Sequence, residues 1–189
     1  MILRRKNIKY LITSLLVITF LLSFGGVALA DYLNGYYWPE GPDPLTYRFF
    51  NYPDPEMEIS QATQDAFTMA QYYWETATNS PVEFTYTTGS ADIYCFEILH
   101  DGTEASGWWD PASTYGYELY RAHAVLNTYK TAGYPSGKRI SVAGHELGHC
   151  LGLDHHLGTL MTEDDWWRWE VWGIESPKTE DINELNDLY

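Results

Sequence analysis

Apolar and polar positions alternate through Leu45-Thr46-Tyr47-Arg48-Phe49-Phe50, and with β-prone side chains this predicts a strand. A turn is predicted over 51–55. The period then becomes helical. Ile59, Ala62, Ala66, Phe67, Ala70, Tyr73, Trp74 and Ala77 share one face of a helix over 59–78, with Ser60 as N-cap and Asn79-Ser80-Pro81 as its stop. Two strands are predicted over 82–87 and 91–99, split by Thr88-Gly89-Ser90. Residues 100–116 read as loop with a short strand around 103–109, and 121–129 alternates again as a strand. Residues 138–151 read as a helix that Gly152 ends. An irregular, tryptophan-rich stretch covers 158–177. A last helix spans 179–188, with Thr179 as N-cap and acids in its first turn. Strands first, one long helix between them and helices last predict an α+β fold with a mixed sheet.

The N-terminus breaks this pattern. Residues 1–10 hold Arg4, Arg5, Lys6 and Lys9, residues 11–24 are almost wholly apolar, and Ala28 and Ala30 supply an A-x-A site. That order predicts a secretory signal peptide over 1–30, cut after Ala30. The rival is an uncleaved anchor, since the uncharged run over 10–30 is long enough to span a bilayer; the small-residue site favours cleavage. No other segment could span a membrane, so a secreted, extracellular chain without stable membrane association is expected. Residues 31–44, rich in Pro, Gly and aromatics, read as an extended lead-in or short pro-segment.

Charge excludes one class of partner. The 189 residues carry 11 Lys+Arg against 26 Asp+Glu, and four of the basic residues lie in the leader. So acidic a surface repels phosphate backbones, and nucleic acid is not an expected partner. Aromatics make up 16%, which argues for a packed core. Two cysteines are too few for a disulfide scaffold or a four-thiolate metal site.

The chemistry concentrates in His145-Glu146-Leu147-Gly148-His149-Cys150-Leu151-Gly152-Leu153-Asp154-His155. Residues four apart on a helix lie on one face, so His145 and His149 can present imidazoles to one ion. Gly152 can take positive φ, end the helix and swing His155 back as a third ligand. Three protein ligands with an open position define a catalytic rather than a structural zinc site. Glu146 can reach a metal-held water without ligating the metal and act on its proton.

This stretch, H-E-x-x-H-x-x-G-x-x-H, resembles the metzincin signature. Met161 in Gly158-Thr159-Leu160-Met161 stands where that group has a methionine turn, a hydrophobic floor under the histidines. Leu45-Thr46-Tyr47-Arg48, Trp74, Ala91-Asp92-Ile93, Leu151 to His155 and Glu180-Asp181-Ile182 are similar, in order, to a matrixin, the matrix-metalloproteinase group. The resemblance covers 45–189. It implies a twisted sheet of about five strands, mostly parallel with one antiparallel edge. Two long helices pack on the sheet, and a small C-terminal subdomain carries a third helix. It implies a secreted zinc endopeptidase acting as a monomer on proteins or peptides, with one catalytic Zn²⁺ on His145, His149 and His155 and Glu146 as the catalytic residue. A peptide pairing with the strand near 103–109, flanked by Trp108 and Trp109, follows from the same resemblance. The alternative is a non-catalytic polymer- or protein-binding module on the same fold.

The chain departs from the pattern in several places. Residues 31–44 contain no cysteine to hold zinc as a thiolate, so Asp31, Glu40 and Asp43 are the carboxylates that could cap the metal, unless they are plain surface acids. Upstream of the zinc helix only His100 and His123 are available for a second, structural zinc, and Ca²⁺ remains possible but unplaced. His156 follows His155 and competes with it in register. Thr162-Glu163 replaces the expected Tyr-Pro. Trp166, Trp167, Trp169 and Trp172 could pack the C-terminal subdomain, or line a pocket favouring a large apolar residue after the scissile bond. Cys95 and Cys150 are either a helix-to-sheet disulfide or two small buried hydrophobes.

Overall fold

The computed structural model describes residues 33–50 and 59–189. The leader over 1–30, Asp31 and the turn expected at 51–55 lie outside the described residues.

Five strands form one sheet: β1 (Leu45–Phe49), β2 (Phe84–Tyr86), β3 (Ile93–Ile98), β4 (Gly107–Tyr115) and β5 (Glu118–Asn127), in the order β2-β1-β3-β5-β4. Every pairing is parallel except β4 with β5, so β4 is the antiparallel edge strand the resemblance implied. Helices α1 (Gln61–Thr76) and α2 (Ser136–Cys150) pack together on the sheet, and α3 (Thr179–Leu188) closes the chain. No helix among the described residues is long and apolar enough to cross a membrane.

The helical period of α1 buries Ala66, Phe67, Ala70 and Trp74, which meet Val142, Ala143, Leu147 and Cys150 of α2 and Ile93, Cys95, Ala122 and Ala124 of the sheet in one core. Ser60 caps α1, its Oγ accepting from Thr63 N at 3.3 Å. Trp74 is fully buried, and its indole Nε1 donates to Gly144 O at 3.0 Å, locking α1 to the middle of α2. Cys95 and Cys150 are free buried thiols rather than a disulfide. Burial pushes both thiols above their ordinary range.

Two boundaries differ from expectation. Residues 107–115 form a full strand rather than loop, and β5 starts at Glu118 rather than at residue 121. Gly116, with φ of +62°, and Tyr117 turn the chain between the paired residues Tyr115 and Glu118. Pro111 masks the strand in sequence because it cannot donate to a ladder; here it lies in the register shift between Asp110 and Ser113, on an edge strand that tolerates it. The last helix is capped one residue earlier than expected: Lys178 rather than Thr179 is the N-cap, and its N–H donates to Asp181 Oδ2 at 2.7 Å.

Glycines at four-residue spacing give α2 a flat face. A Cβ on Gly148 would lie 2.3 Å from Met161 Sδ and 3.0 Å from Trp74 Cζ2, and one on Gly144 would lie 3.0 Å from Leu160 Cδ2. The turn that carries Leu160 and Met161 therefore sits directly on the helix backbone. The far end of α2 is capped by both ends of the domain. Asn34 Nδ2 donates to His149 O at 2.8 Å, Trp38 Nε1 to Cys150 O at 2.9 Å, and Tyr189 Oη to Leu151 O at 3.0 Å. These satisfy carbonyls that a helix end leaves open. Glu40 and Asp43 are exposed on this lead-in, which packs beside α2's last turn.

Gly148→Ala is expected to destabilise the fold by about 1–3 kcal/mol through overpacking against Met161. At roughly 2–4 °C per kcal/mol the thermal midpoint should drop by several degrees. A midpoint matching the parent would mean that Met161 can move aside freely.

Candidate functional site

One turn of α2 separates His145 from His149. Gly152, at φ of +101°, then reverses the chain so that Leu153 bridges Leu33 and His155 returns to the same space. A side chain at 152 would also collide with the backbone, its Cβ falling 2.6 Å from Tyr36 O. His149 Nε2 lies 3.2 Å from His145 Nε2 and 3.2 Å from His155 Nε2. Among the described residues this is the only group of three or more His, Cys, Asp or Glu side chains placed to hold one metal ion.

The tautomers follow from the partners. Nδ1 of His145 is 3.0 Å from Leu160 O and Nδ1 of His149 is 2.8 Å from Leu153 O. A carbonyl only accepts, so each Nδ1 carries the ring proton and each Nε2 presents a lone pair. Burial keeps both rings neutral, holding His145 well below the usual histidine range and lowering His149 to about 4. Lone pairs 3.2 Å apart repel one another unless a cation lies between them. The triad is therefore able to bind a metal ion, with backbone carbonyls orienting its ligands.

Neighbouring residues sort around this centre. His156 turns away: its N–H donates to Met161 O at 3.0 Å and its Nδ1 lies 2.6 Å from Glu184 Oε1. Met161 is fully buried, and Asp181 Oδ2 accepts from Leu160 N at 3.1 Å to hold the same turn. Glu146 is buried, with its carboxylate against the start of β4; a Cβ on Gly107 would lie 2.8 Å from its Oε1. His123 Nδ1 faces Asp110 Oδ2 at 3.1 Å, and His100 packs edge-on to Trp108. Neither joins a metal-ligating cluster among the described residues.

The triad and Glu146 line a cleft of about 880 Å³ between the start of β4 and the loop over 163–168. Trp108 and Trp109 both line it, and Trp109 stacks on the His149 ring at 6.0 Å. Of the four later tryptophans only Trp166 does. Trp169 lies over Gly137, where a Cβ would meet its ring at 2.3 Å, and Trp167 and Trp172 pack on each other, half-exposed. Glu40 and Asp43 are not among the lining residues. Arg168, which the sequence did not single out, is.

No protein-family model matches the chain. It is 29% identical over 157 residues to the interstitial collagenase of Equus caballus, covering 77% of this chain and 31% of that protein. Over 129 residues it is 31% identical to the interstitial collagenase of Bos taurus and 32% to that of Sus scrofa, covering 62% of this chain and 26% of each. The chain thus shows distant homology, at about 30% identity, to these interstitial collagenases. It spans less than a third of the length of the two relatives first named.

Burial pushes the Glu146 carboxyl up to about 8, an effect that the nearby Arg168 charge opposes. Without metal, folding therefore keeps a proton that an unfolded glutamate loses near 4.5. Stability from this group is present below 4.5 and lost as pH rises toward 8, at about 1.4 kcal/mol per pH unit. His149 acts oppositely, but only below 6.5, where the unfolded chain takes up its proton first. Chelated protein should thus lose stability between about pH 6.5 and 8 in urea titrations, and Glu146→Gln should flatten that slope. An equal slope in the variant would exclude Glu146 as its source.

Proposed function

We propose that this chain is a secreted zinc-dependent endopeptidase that hydrolyses internal peptide bonds of proteins. The observation that carries this reading is the convergence of three imidazole Nε2 atoms beside a buried glutamate in one cleft. His145, His149 and His155 would hold the ion; an all-imidazole set suits zinc. A bound zinc ion supplies Lewis acidity and lowers the pKa of water to about 7. A dication nearby also favours the ionised carboxylate, so Glu146 becomes a base despite its burial. Glu146 takes a proton from the attacking water and delivers it to the leaving amine nitrogen. Gly107 leaves room for that carboxylate.

An extended peptide has a place to lie. β4 is the last strand of the sheet, and its outer N–H and C=O groups can pair with an added strand. Trp108 and Trp109 stand at its cleft end. Export is supported by the basic, apolar and small-residue order of 1–30.

Purified 31–189 loaded with zinc should hydrolyse casein, stop on chelation and recover with zinc. Glu146→Ala should lower the rate by about 10²-fold or more while His145, His149 and His155 still hold zinc. A variant as fast as the parent would remove Glu146 from the reaction. A folded, zinc-loaded parent that cuts no protein would favour the binding module.

A further inference from the structure

Arg168 is the residue of the cleft that the reaction leaves unused. It is 1% exposed, yet it lines the cleft beside Glu146. Its Nε donates to Ser141 Oγ at 2.9 Å, one turn before His145, and its Nη1 donates to Thr162 O just after Met161. The side chain thus fills the space between α2 and the methionine turn. Both partners are neutral, and Arg168 makes no ion pair among the described residues. Of five N–H donors two are matched, and Nη2 has no hydrogen-bond partner among the described residues.

Arg168 is also held rigidly. On one side of it Asp165 accepts from Tyr134 Oη at 2.9 Å and from Ser106 Oγ, with Lys138 Nζ at 3.6 Å. On the other, Trp169 is seated on Gly137. The guanidinium is therefore a fixed end wall, not a swinging side chain.

Glu146 must deliver its proton to the leaving nitrogen. The residue that owns this nitrogen consequently lies beside Glu146, in the part of the cleft that Val142, Arg168 and the loop over 163–166 line. Arg168 is the cationic donor there, among the carboxylates of Glu163, Asp164 and Asp165. We propose that Arg168 restricts the residue following the scissile bond to short side chains that accept a hydrogen bond, in place of the large apolar residue that a tryptophan-lined pocket would take. A large apolar side chain would meet the guanidinium and leave its free donors unpaired, whereas Ser, Asn or Asp would satisfy them.

This inference rests on the endopeptidase reading, and mapping every cut in casein by mass spectrometry separates the two. The wild-type enzyme should cut before Ser, Asn, Asp or Thr, with peptides carrying them favoured in kcat/KM by about tenfold or more over matched Leu or Phe peptides. Arg168→Met keeps the bulk but removes the donors, so it should lose the preference for acceptors while still rejecting Phe. Arg168→Ala should open this part of the cleft and gain cleavage before Leu and Phe. A wild-type enzyme that prefers Leu or Phe would overturn the proposal without any variant. So would an unchanged profile in a folded Arg168→Ala enzyme. If no casein bond is cut, the endopeptidase reading fails first and the inference falls with it.

Discussion

Three imidazoles, with His149 Nε2 3.2 Å from both His145 Nε2 and His155 Nε2, form the arrangement on which the rest of this molecule depends. Left alone, they would rotate apart. They are held because two of the rings donate from Nδ1 to backbone carbonyls, Leu160 O and Leu153 O, which lie on opposite sides of α2's last turns. Leu153 O is in place because Gly152 ends the helix at positive φ. Leu160 O is in place because its turn rests on Gly144 and Gly148 and is anchored by Asp181 from α3. The spacing of ligands in the sequence is thus one half of the site. The other half is a set of backbone acceptors that only the closed fold supplies.

The end of α2 also explains the course of the lead-in. A helix terminating inside a protein leaves carbonyls that need donors. Asn34 and Trp38 come from one end of the domain and Tyr189 from the other, and all three donate within three consecutive residues, 149–151. Residues 33–38 are committed there, pairing with Leu153 and Glu118. That commitment directs Glu40 and Asp43 into solvent rather than toward the histidines. The lead-in serves the metal centre from behind, by fixing the helix that carries two of its ligands.

What could be read in the sequence follows a physical division. The helices were legible because each buries one face, and the ligand set because i, i+4 and a glycine turn have only a few geometries. Of the edge strand β4 only the start, near 107–109, was legible. Pro111 interrupts its ladder, and its outer half, over Ser113 to Tyr115, is exposed, so no alternation marks it. Gly148 lies within the motif and Gly144 just before it, yet only the structure reveals that a methionine and a leucine replace the missing side chains. The tryptophans left two readings open for a related reason. Four large rings within seven residues suggest a pocket wall, but where each ring goes is decided by glycines and neighbours elsewhere in the chain, such as Gly137 under Trp169.

Arg168 shows the same division at the scale of one residue. Nothing in the sequence singles it out, since arginine is rarely buried without a carboxylate. Here Ser141 Oγ and Thr162 O hold it in the core. Burial lowers its pKa to about 10, so it stays charged at neutral pH. The loop over 163–172 is fastened to α2 at Ser141, at Lys138 through Asp165, and at Gly137 beneath Trp169. Because α2 also carries His145, Glu146 and His149, the wall of the cleft and its reactive groups share one rigid support. The cleft wall and its reactive groups are therefore carried on the same helix, and Arg168, bonded to Ser141 Oγ and Thr162 O, ties that wall to the turn whose Leu160 O orients His145.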